Sequence, residues 1–261
     1  MIVLLIIVAF IVGTLIGTVG IGGILLIPAL ALFANLSTQV SMATALFSFI
    51  FTGVVGTYMF QRRGSIDWHI TIPVCLGGIC FGYLGALVNS LVDATLLNII
   101  LSLIIIFAGV YTSCSGNGSP SCNLSGRPRL HKIGLFGIGA AVGFGSGLTG
   151  VGGPVLSVPM MVIIGFAPLT AIATSQVIQI VAAISGTIGN LKYGSINFSV
   201  GVWVTLIELA GVLVGVRIAH SAKTQQLRKF VVMVCILVGG IIFIRSTGIA
   251  GFVWSFVKPL P

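Results

Sequence analysis

Long apolar runs, separated by short polar turns, follow one another along almost the whole chain. Six of these runs have about 20 residues, the length of one membrane-spanning helix: 39–60, 70–91, 95–113, 169–191, 198–219 and 226–246. Two others, 2–33 and 133–167, are too long for one span and too short for two spans with a turn. Alternating segments of about ten residues, typical of a membrane barrel, are missing. The pattern predicts an all-α polytopic membrane protein.

The two overlong stretches carry matching glycine clusters. The first reads Gly20-Ile21-Gly22-Gly23 with Pro28 after it, and the second reads Gly150-Val151-Gly152-Gly153-Pro154 with Pro159 after it. Glycine pairs and proline unwind helices, and unwound backbone inside a bilayer is tolerated where it is buried or lines a cavity. Such breaks at matching places favour a transporter's binding site. For Gly13 and Gly17, spaced by four residues, we favour close helix packing, which needs no substrate.

A shift by half its length, which places Gly20 on Gly150, aligns the chain with itself. Under this half-length shift ten of the 16 glycines in the first half fall on a glycine of the second half. The turn Gly64-Ser65-Ile66 falls on Gly194-Ser195-Ile196 in the same way. This self-similarity predicts an internal duplication with two homologous halves. The first repeat covers 1–112, a polar linker covers 113–132, and the second repeat covers 133–261.

The relative orientation of the two repeats depends on how the opening stretch of each is counted. If it is one span, each repeat has four spans and the repeats run parallel. If it is re-entrant or crosses twice, each repeat has an odd number of segments and the repeats are inverted. The twelve Lys and Arg residues then divide about eight to four in the parallel case and about nine to three in the inverted case. Segment length and the glycine breaks favour inverted repeats.

Composition supports the membrane assignment. Hydrophobic residues make up 57% of the chain and charged residues 6%, whereas a soluble domain has about 25% charged residues. The net charge of +9 comes from basic residues placed singly or in short groups between apolar runs, which is typical of a positive-inside bias and excludes a nucleic-acid binder. Arg62, Lys192 and Arg217 lie near span ends. There they either extend their charged groups to the membrane surface or form a positively charged entrance that attracts an anion. We expect a multi-pass protein in membrane lipid, in the inner (plasma) membrane of the cell.

Motifs for enzymatic, cofactor or metal chemistry are missing from the sequence. The glycine-rich runs lack the Lys-Ser/Thr of a phosphate-binding loop, and the cysteine spacing fits no metal site. Gly145-Ser146-Gly147 suggests a serine hydrolase, but every histidine lies at a span edge or in the linker, away from a buried general base. We therefore expect no enzyme, no cofactor and no metal. Whether Cys114 and Cys122 form a disulfide stays open.

Polar residues inside the spans are few, which makes them candidates for substrate binding. Hydroxyl and amide groups can bond an oxyanion without the cost of a buried charge, although they can equally tie helix to helix. Together with the glycine clusters they define the predicted substrate site: Gly20, Gly22, Gly23, Thr44, Ser48, Thr149, Gly150, Gly152, Gly153, Thr174, Ser175, Gln176 and Gln179.

Glu208 is a carboxylate well inside a predicted span. A carboxylate there is costly unless it is neutral, paired or in contact with water, and each of these suits a proton relay. A structural pairing with a nearby Lys or Arg is the alternative, although Arg217 lies nine residues on and out of phase on the helix. We predict that Glu208 couples transport to protons.

The duplicated glycine signature resembles that of the sulfite exporter TauE/SafE family. The resemblance rests on Gly20–Gly23 with Pro28, on Gly150–Gly153 with Pro159, and on the two Gly-Ser-Ile turns, and it covers nearly the whole chain. The first copy is one residue shorter between the glycine pair and the proline. The resemblance implies a permease, generally an exporter, for small sulfur-containing anions or organosulfonates such as sulfite or sulfoacetate.

Together, these observations predict a secondary transporter that exports a small anion by alternating access between two pseudo-symmetric halves. The anion would lie near mid-membrane between the two glycine breaks. A passive anion channel and a non-transporting membrane scaffold are the alternatives. The exact substrate, the direction, the coupling ion and the presence of a homo-oligomer stay open at this point.

Overall fold

The computed structural model describes residues 2–20, 22–89, 128–149, 152–193 and 195–223, with isolated residues between 99 and 110 and between 225 and 244. In this part of the chain the regular secondary structure is α-helical. The long helices are α1 (Ile2–Val19), α2 (Gly23–Phe33), α3 (Thr38–Arg62), α4 (Trp68–Asn89), α5 (Pro128–Thr149), α6 (Pro154–Ile164), α7 (Pro168–Tyr193) and α8 (Phe198–Ser221).

Several helix ends follow from single residues. The Ser37 side chain caps the start of α3, where it accepts a hydrogen bond from the Val40 N–H at 3.4 Å. The Asn197 side chain caps the start of α8, where it accepts a hydrogen bond from the Val200 N–H at 3.1 Å. Gly165 ends α6 in the left-handed conformation, with φ of 106°. These caps place the boundaries within a few residues of the predicted apolar runs.

Each overlong stretch is broken into two helices at its glycine cluster, as the sequence predicts. After α1 the chain turns at Gly20, whose φ is 79°, and the next glycines bring it back along α1. Gly22 lies against the Ile16 side chain and the Val12 carbonyl oxygen, so α1 and α2 form a helical hairpin. The second stretch breaks between α5 and α6, where Gly152 has a φ of 92°. Positive φ favours glycine at both turns.

The central contact of the fold joins α3 to α7, and these two helices run antiparallel. Leu46 near the start of α3 contacts Gly186 near the end of α7, whereas Gly56 near the end of α3 contacts Gln176 near the start of α7. Between them, Gly53 lies against Ile180. Glycines on both helices allow this close approach.

The remaining long helices pack across the predicted halves. α1 lies parallel to α8, with Gly13 against the Glu208 backbone and Gly17 against Val212. α4 lies parallel to α5 in the same way, with Gly78 against Gly143. A Cβ atom on Gly13 would overlap the Glu208 carbonyl, which confirms the prediction that Gly13 and Gly17 serve helix packing.

The described helices form two bundles of four. α8 also lies parallel to α3, because Phe47 contacts Phe198 at one end and Phe60 contacts His220 at the other. One bundle therefore contains α1, α2, α3 and α8, and the other contains α4, α5, α6 and α7. Since α3 and α7 are antiparallel, the α1–α2 and α5–α6 hairpins enter from opposite directions and their turns meet in the middle.

The surface and the interior have the polarity expected in lipid. Many large apolar side chains are exposed, among them Val3, Ile133 and Trp203, whereas polar residues in the middle of α3, α7 and α8, such as Ser48, Gln176 and Glu208, are buried. Among the described residues, three helices are long and apolar enough to cross a membrane, by length and composition: Val40–Arg62, Pro168–Ile188 and Phe198–Ser221. Shorter apolar helices cover Val3–Val19, Trp68–Leu84 and Ile133–Gly147. The chain is an integral membrane protein.

One boundary differs from the sequence-based expectation. α5 begins at Pro128, inside the segment 113–132 that the sequence assigns to the linker, because proline suits the first turn of a helix and polar residues can extend an apolar run. Cys114 and Cys122 lie outside the described residues. The predicted spans 95–113 and 226–246 are described at isolated positions.

Candidate functional site

The turns of the two hairpins meet in a crevice at the centre of the structure. It is bounded by backbone from both glycine clusters and by side chains of α1, α3, α6 and α7, and in this conformation it leaves no room for a water molecule. Its lining residues are Ile16, Gly20, Gly23, Phe49, Gly152, Pro154 and Gln179. The two breaks predicted from the sequence thus line a single crevice.

Two helix N-termini point into this crevice, those of α2 and α6. Gly22 and Gly153 occupy the N-cap positions, and neither helix start has a side-chain cap. The first N–H groups of a helix lack intrahelical acceptors, and the helix dipole adds partial positive charge there. Pro154 removes one N–H from the start of α6. Among the described lining residues there is no carboxylate, so the electrostatics favour an anion.

Gln179 is the polar side chain of the crevice wall. Its amide nitrogen donates to the Phe49 carbonyl oxygen at 3.1 Å and to the Thr52 hydroxyl at 2.9 Å, so that it ties α7 to α3. The side chain is 2% exposed. Since both hydrogens of this nitrogen are engaged, Gln179 has no free N–H group for a ligand in this conformation.

Gln176 joins α7 to the end of α1, one turn before the first break. Its amide nitrogen donates to the Ile16 carbonyl oxygen at 3.0 Å, which fixes the orientation of the amide. The other end of the amide, Oε1, fills the space beside Gly56 and has no hydrogen-bond partner among the described residues. An unpaired buried carbonyl is costly, so a change that opens α3 from α7 would let water or a ligand reach it.

The four predicted hydroxyl groups that the structure describes are buried, and each makes a helix-to-helix or local contact. Thr44 accepts a hydrogen bond from the Asn197 N–H at 3.2 Å, and Thr174 bonds Thr71 at 3.1 Å. The hydroxyls of Ser48 and Ser175 donate to backbone carbonyls one turn earlier in their own helices. In this conformation Thr44 and Thr174 therefore hold the starts of α8 and α4, away from the crevice.

The two sides of the crevice differ in polarity. Under the half-length shift, Gln176 and Gln179 on α7 correspond to Leu46 and Phe49 on α3. The amides bond backbone groups of α1 and α3, whereas Leu46 packs on Gly186 and Phe49 lies near Gly152. The site is therefore polar along α7 and apolar along α3.

Glu208 lies outside the crevice, in the contact of α8 with α1 and α3. It is fully buried, and the Ser48 hydroxyl faces its carboxyl group. That hydroxyl donates instead to the Ala45 carbonyl oxygen at 2.8 Å, so neither Glu208 oxygen has a well-formed hydrogen bond among the described residues.

The structure brings together part of the predicted site and adds residues to it. Gly20, Gly23, Gly152 and Gln179 line the crevice. Gly22 and Gly153 shape its edges, the latter by contact with Ile178. Gly150 and the side chain of Thr149 lie outside the described residues. Ile16, Phe49 and Pro154 also line the crevice and are not among the residues predicted for it, although Pro154 adjoins the second glycine cluster. Phe49 could have been found as the partner of Gln179 under the half-length shift.

The comparison with family models gives one family. The model described as "Sulfite exporter TauE/SafE" matches residues 5–242, which is nearly the whole chain.

Several named relatives are similar over most of their length. The chain is 25% identical to the "Probable membrane transporter protein YunE" of Bacillus subtilis (strain 168), across 91% of this chain and 95% of the relative. It is 24% identical to the "Probable membrane transporter protein YdhB" of the same organism, across 90% and 98%. It is 26% identical to the "Probable membrane transporter protein MJ0441" of Methanocaldococcus jannaschii, across 84% and 83%. No solved structure matches the chain significantly.

Proposed function

Because the chain belongs to the sulfite exporter TauE/SafE family, we propose that it is a secondary transporter that exports a small anion such as sulfite or an organosulfonate. The observation that carries the proposal is the convergence of two uncapped helix N-termini, at Gly22 and Gly153, on one crevice without a described carboxylate. Backbone N–H groups at such ends bind oxyanions without a buried cation. Relatives named as probable membrane transporters support the general activity.

The proposed architecture is a pair of inverted repeats produced by an internal duplication. Ten matching glycines support the duplication. The contact of Gly13 with Glu208 and the contact of Gly143 with Gly78 are equivalent under the half-length shift, which supports it further. Antiparallel packing of α3 and α7 favours the inverted arrangement, because repeats related by an axis along the membrane normal would place these helices parallel.

Alternating access then involves the two bundles rather than the two sequence repeats. α1 and α8 are locked by backbone contacts at Gly13 and Gly17, and α4 and α5 by contacts at Gly78 and Gly139. The bundles meet mainly where α3 packs on α7 and where the hairpin turns touch. We take the structure with the closed crevice as the occluded conformation. Tilting of one bundle against the other at the α3–α7 contact would open the crevice to one side of the membrane or to the other.

Ligand-dependent stability tests this proposal. A bound anion at about 100 times its Kd should stabilise the purified protein by about 2.7 kcal/mol. We expect the melting temperature in detergent to rise with sulfite, sulfoacetate or both, and not with chloride or acetate at equal ionic strength. Equal melting temperatures in all these salts would contradict the proposed substrate class and leave the fold unaffected.

The proposed orientation follows from the basic residues at one end of the molecule. α3 and α8 are parallel, so Arg62, Arg63, Arg217 and Lys223 lie at the same end, whereas α7 is antiparallel and carries Lys192 to the opposite end. The positive-inside bias then places the ends of α3 and α8 in the cytoplasm. We propose a multi-pass plasma-membrane protein in this orientation.

Cysteine labelling at the two ends of α8 checks the orientation. Ser195 and Ser221 are both exposed, and they lie just before the first residue of α8 and at its last residue. In a variant without the five native cysteines, we expect Ser195→Cys to react with a membrane-impermeant maleimide in intact cells and Ser221→Cys to react after permeabilisation. The reverse pattern would show the opposite orientation, and labelling of both in intact cells would show that α8 does not span the membrane.

A further inference from the structure

The contact of α8 with α1 and α3 contains a second polar position, about midway along α8. Glu208 is 0% exposed there, and its backbone lies directly against Gly13 of α1. Its two carboxyl oxygens have no hydrogen-bond partner among the described residues. Of the two acidic residues that the structure describes, Asp67 lies in an exposed turn and Glu208 lies inside a helix long and apolar enough to span a membrane.

The charged groups on the surrounding helices do not neutralise this carboxyl. α1 has no ionisable side chain. On α3, the ionisable residues Tyr58 and Arg62 lie ten or more residues beyond Ser48, with the Arg62 guanidinium 4.9 Å from the centre of the Tyr58 ring. On α8 itself, Arg217 lies nine residues on, and His220 bonds Ser65 at 2.8 Å and the Val216 carbonyl at 2.7 Å.

The Ser48 hydroxyl is the polar group that faces this carboxyl, and it donates to the Ala45 carbonyl oxygen. A buried carboxylate without a cation or a well-formed hydrogen bond is among the most expensive groups in a protein interior. The cost disappears when the group binds a proton or when the helices separate and admit water. We propose that Glu208 is a proton-binding site and that its protonation is required for the closed conformation through which the transporter passes. This inference rests on the proposed transport function.

In the bundle of α4, α5, α6 and α7, the position equivalent to Glu208 carries no carboxyl group. The position that corresponds to Glu208 under the half-length shift is Gly78, which makes the same close contact with α5 that Glu208 makes with α1. The carboxyl is therefore unnecessary for this type of helix contact. Of these two equivalent contacts, the one between α8 and α1 carries a carboxyl group and the one between α4 and α5 carries a glycine. We therefore expect the binding of a single proton to control closure.

Counterflow of labelled sulfoacetate in proteoliposomes tests the proposal, because its charge is constant between about pH 6 and pH 9. In wild type, exchange should slow at least about tenfold as the pH rises, since closure then requires uptake of a rarer proton. Glu208→Gln keeps the shape of the side chain and is always neutral, so its exchange should be independent of pH and faster than wild type at alkaline pH. Asp67→Asn is the matched control, since Asp67 lies in the exposed turn before α4, and it should behave like wild type.

A wild-type pH profile that persists in Glu208→Gln would overturn the proton-binding site, as would a wild-type profile without pH dependence. The melting temperature provides a test that needs no transport. It should fall with rising pH in wild type and fall less in Glu208→Gln, because the folded state favours the protonated carboxyl and loses that stability as the pH rises. Equal pH dependence of melting in the two proteins contradicts the inference. If melting differs as expected and neither sulfite nor sulfoacetate is exchanged at any pH, the proposed function fails instead.

Discussion

Replacing Gly152 with Val is expected to abolish anion exchange while the protein still inserts and folds. Gly152 has a φ of 92°, a conformation that a β-branched residue adopts at a cost of about 1–3 kcal/mol. A Cβ at this position would lie 3.6 Å from the Phe49 ring, and the two methyl groups beyond it would occupy the crevice between the hairpin turns. Counterflow in proteoliposomes should fall by about 100-fold, to near background.

Gly64→Val is the control that separates the effect of backbone strain from the effect of filling the crevice. Gly64 has a φ of 65° and a Cβ there would meet nothing within 4 Å, because the residue lies in the exposed turn after α3. It therefore imposes comparable backbone strain far from the crevice. We expect the two variants to lose similar melting temperature, with exchange in Gly64→Val within about twofold of wild type. Full exchange in Gly152→Val would show that the anion does not pass between the glycine breaks.

The breaks and the spans that the structure describes could be predicted from the sequence because each follows from a local rule. A stretch such as 2–33 is too long for one span, and a turn at Gly20 needs a residue that tolerates positive φ. The helix boundaries then follow from apolar length and from caps such as Ser37. These features depend on neighbours in the sequence, so the half-length shift also recovers them in the second stretch.

The choice of helix partners could not be predicted, because it depends on shape at long range. Hydroxyl and amide side chains can bind a ligand or join two helices, and the sequence does not show which hydrogen-bond partner each one has. Thr44 bonds the start of α8 rather than the crevice, and Gln176 reaches the Ile16 carbonyl, 160 positions away in the chain. Nor does the pattern show that α8, which lies in the second predicted repeat, packs on α1 of the first. The apolar side of the crevice at Phe49 was missed for a related reason, since buried aromatic residues in a span normally indicate packing.

The second large effect is expected where α4 packs on α5, in Gly139→Leu. The Gly139 Cα lies so close to Val74 that an added Cβ would overlap the Val74 carbonyl oxygen, which belongs to the backbone and cannot turn away. The two helices would have to separate along their length, since α4 and α5 are held together by further glycine contacts at Gly77, Gly78 and Gly143. Overpacking of this kind costs about 1–3 kcal/mol when side chains can adjust and more when backbone must move. We expect little monodisperse protein in size-exclusion chromatography and a large fall in melting temperature.

Gly137→Leu is the control for this effect, two residues earlier on the same helix. Gly137 is exposed and a Cβ there would meet nothing within 4 Å, so the leucine would extend into lipid. Because leucine favours a helix over glycine by up to about 1 kcal/mol, this variant should be as stable as wild type or slightly more stable. Equal behaviour of the two variants would contradict the close packing of α4 on α5. The assignment of α4 to one bundle with α5, α6 and α7 would then be wrong, and the two predicted repeats would become the candidates for the moving units.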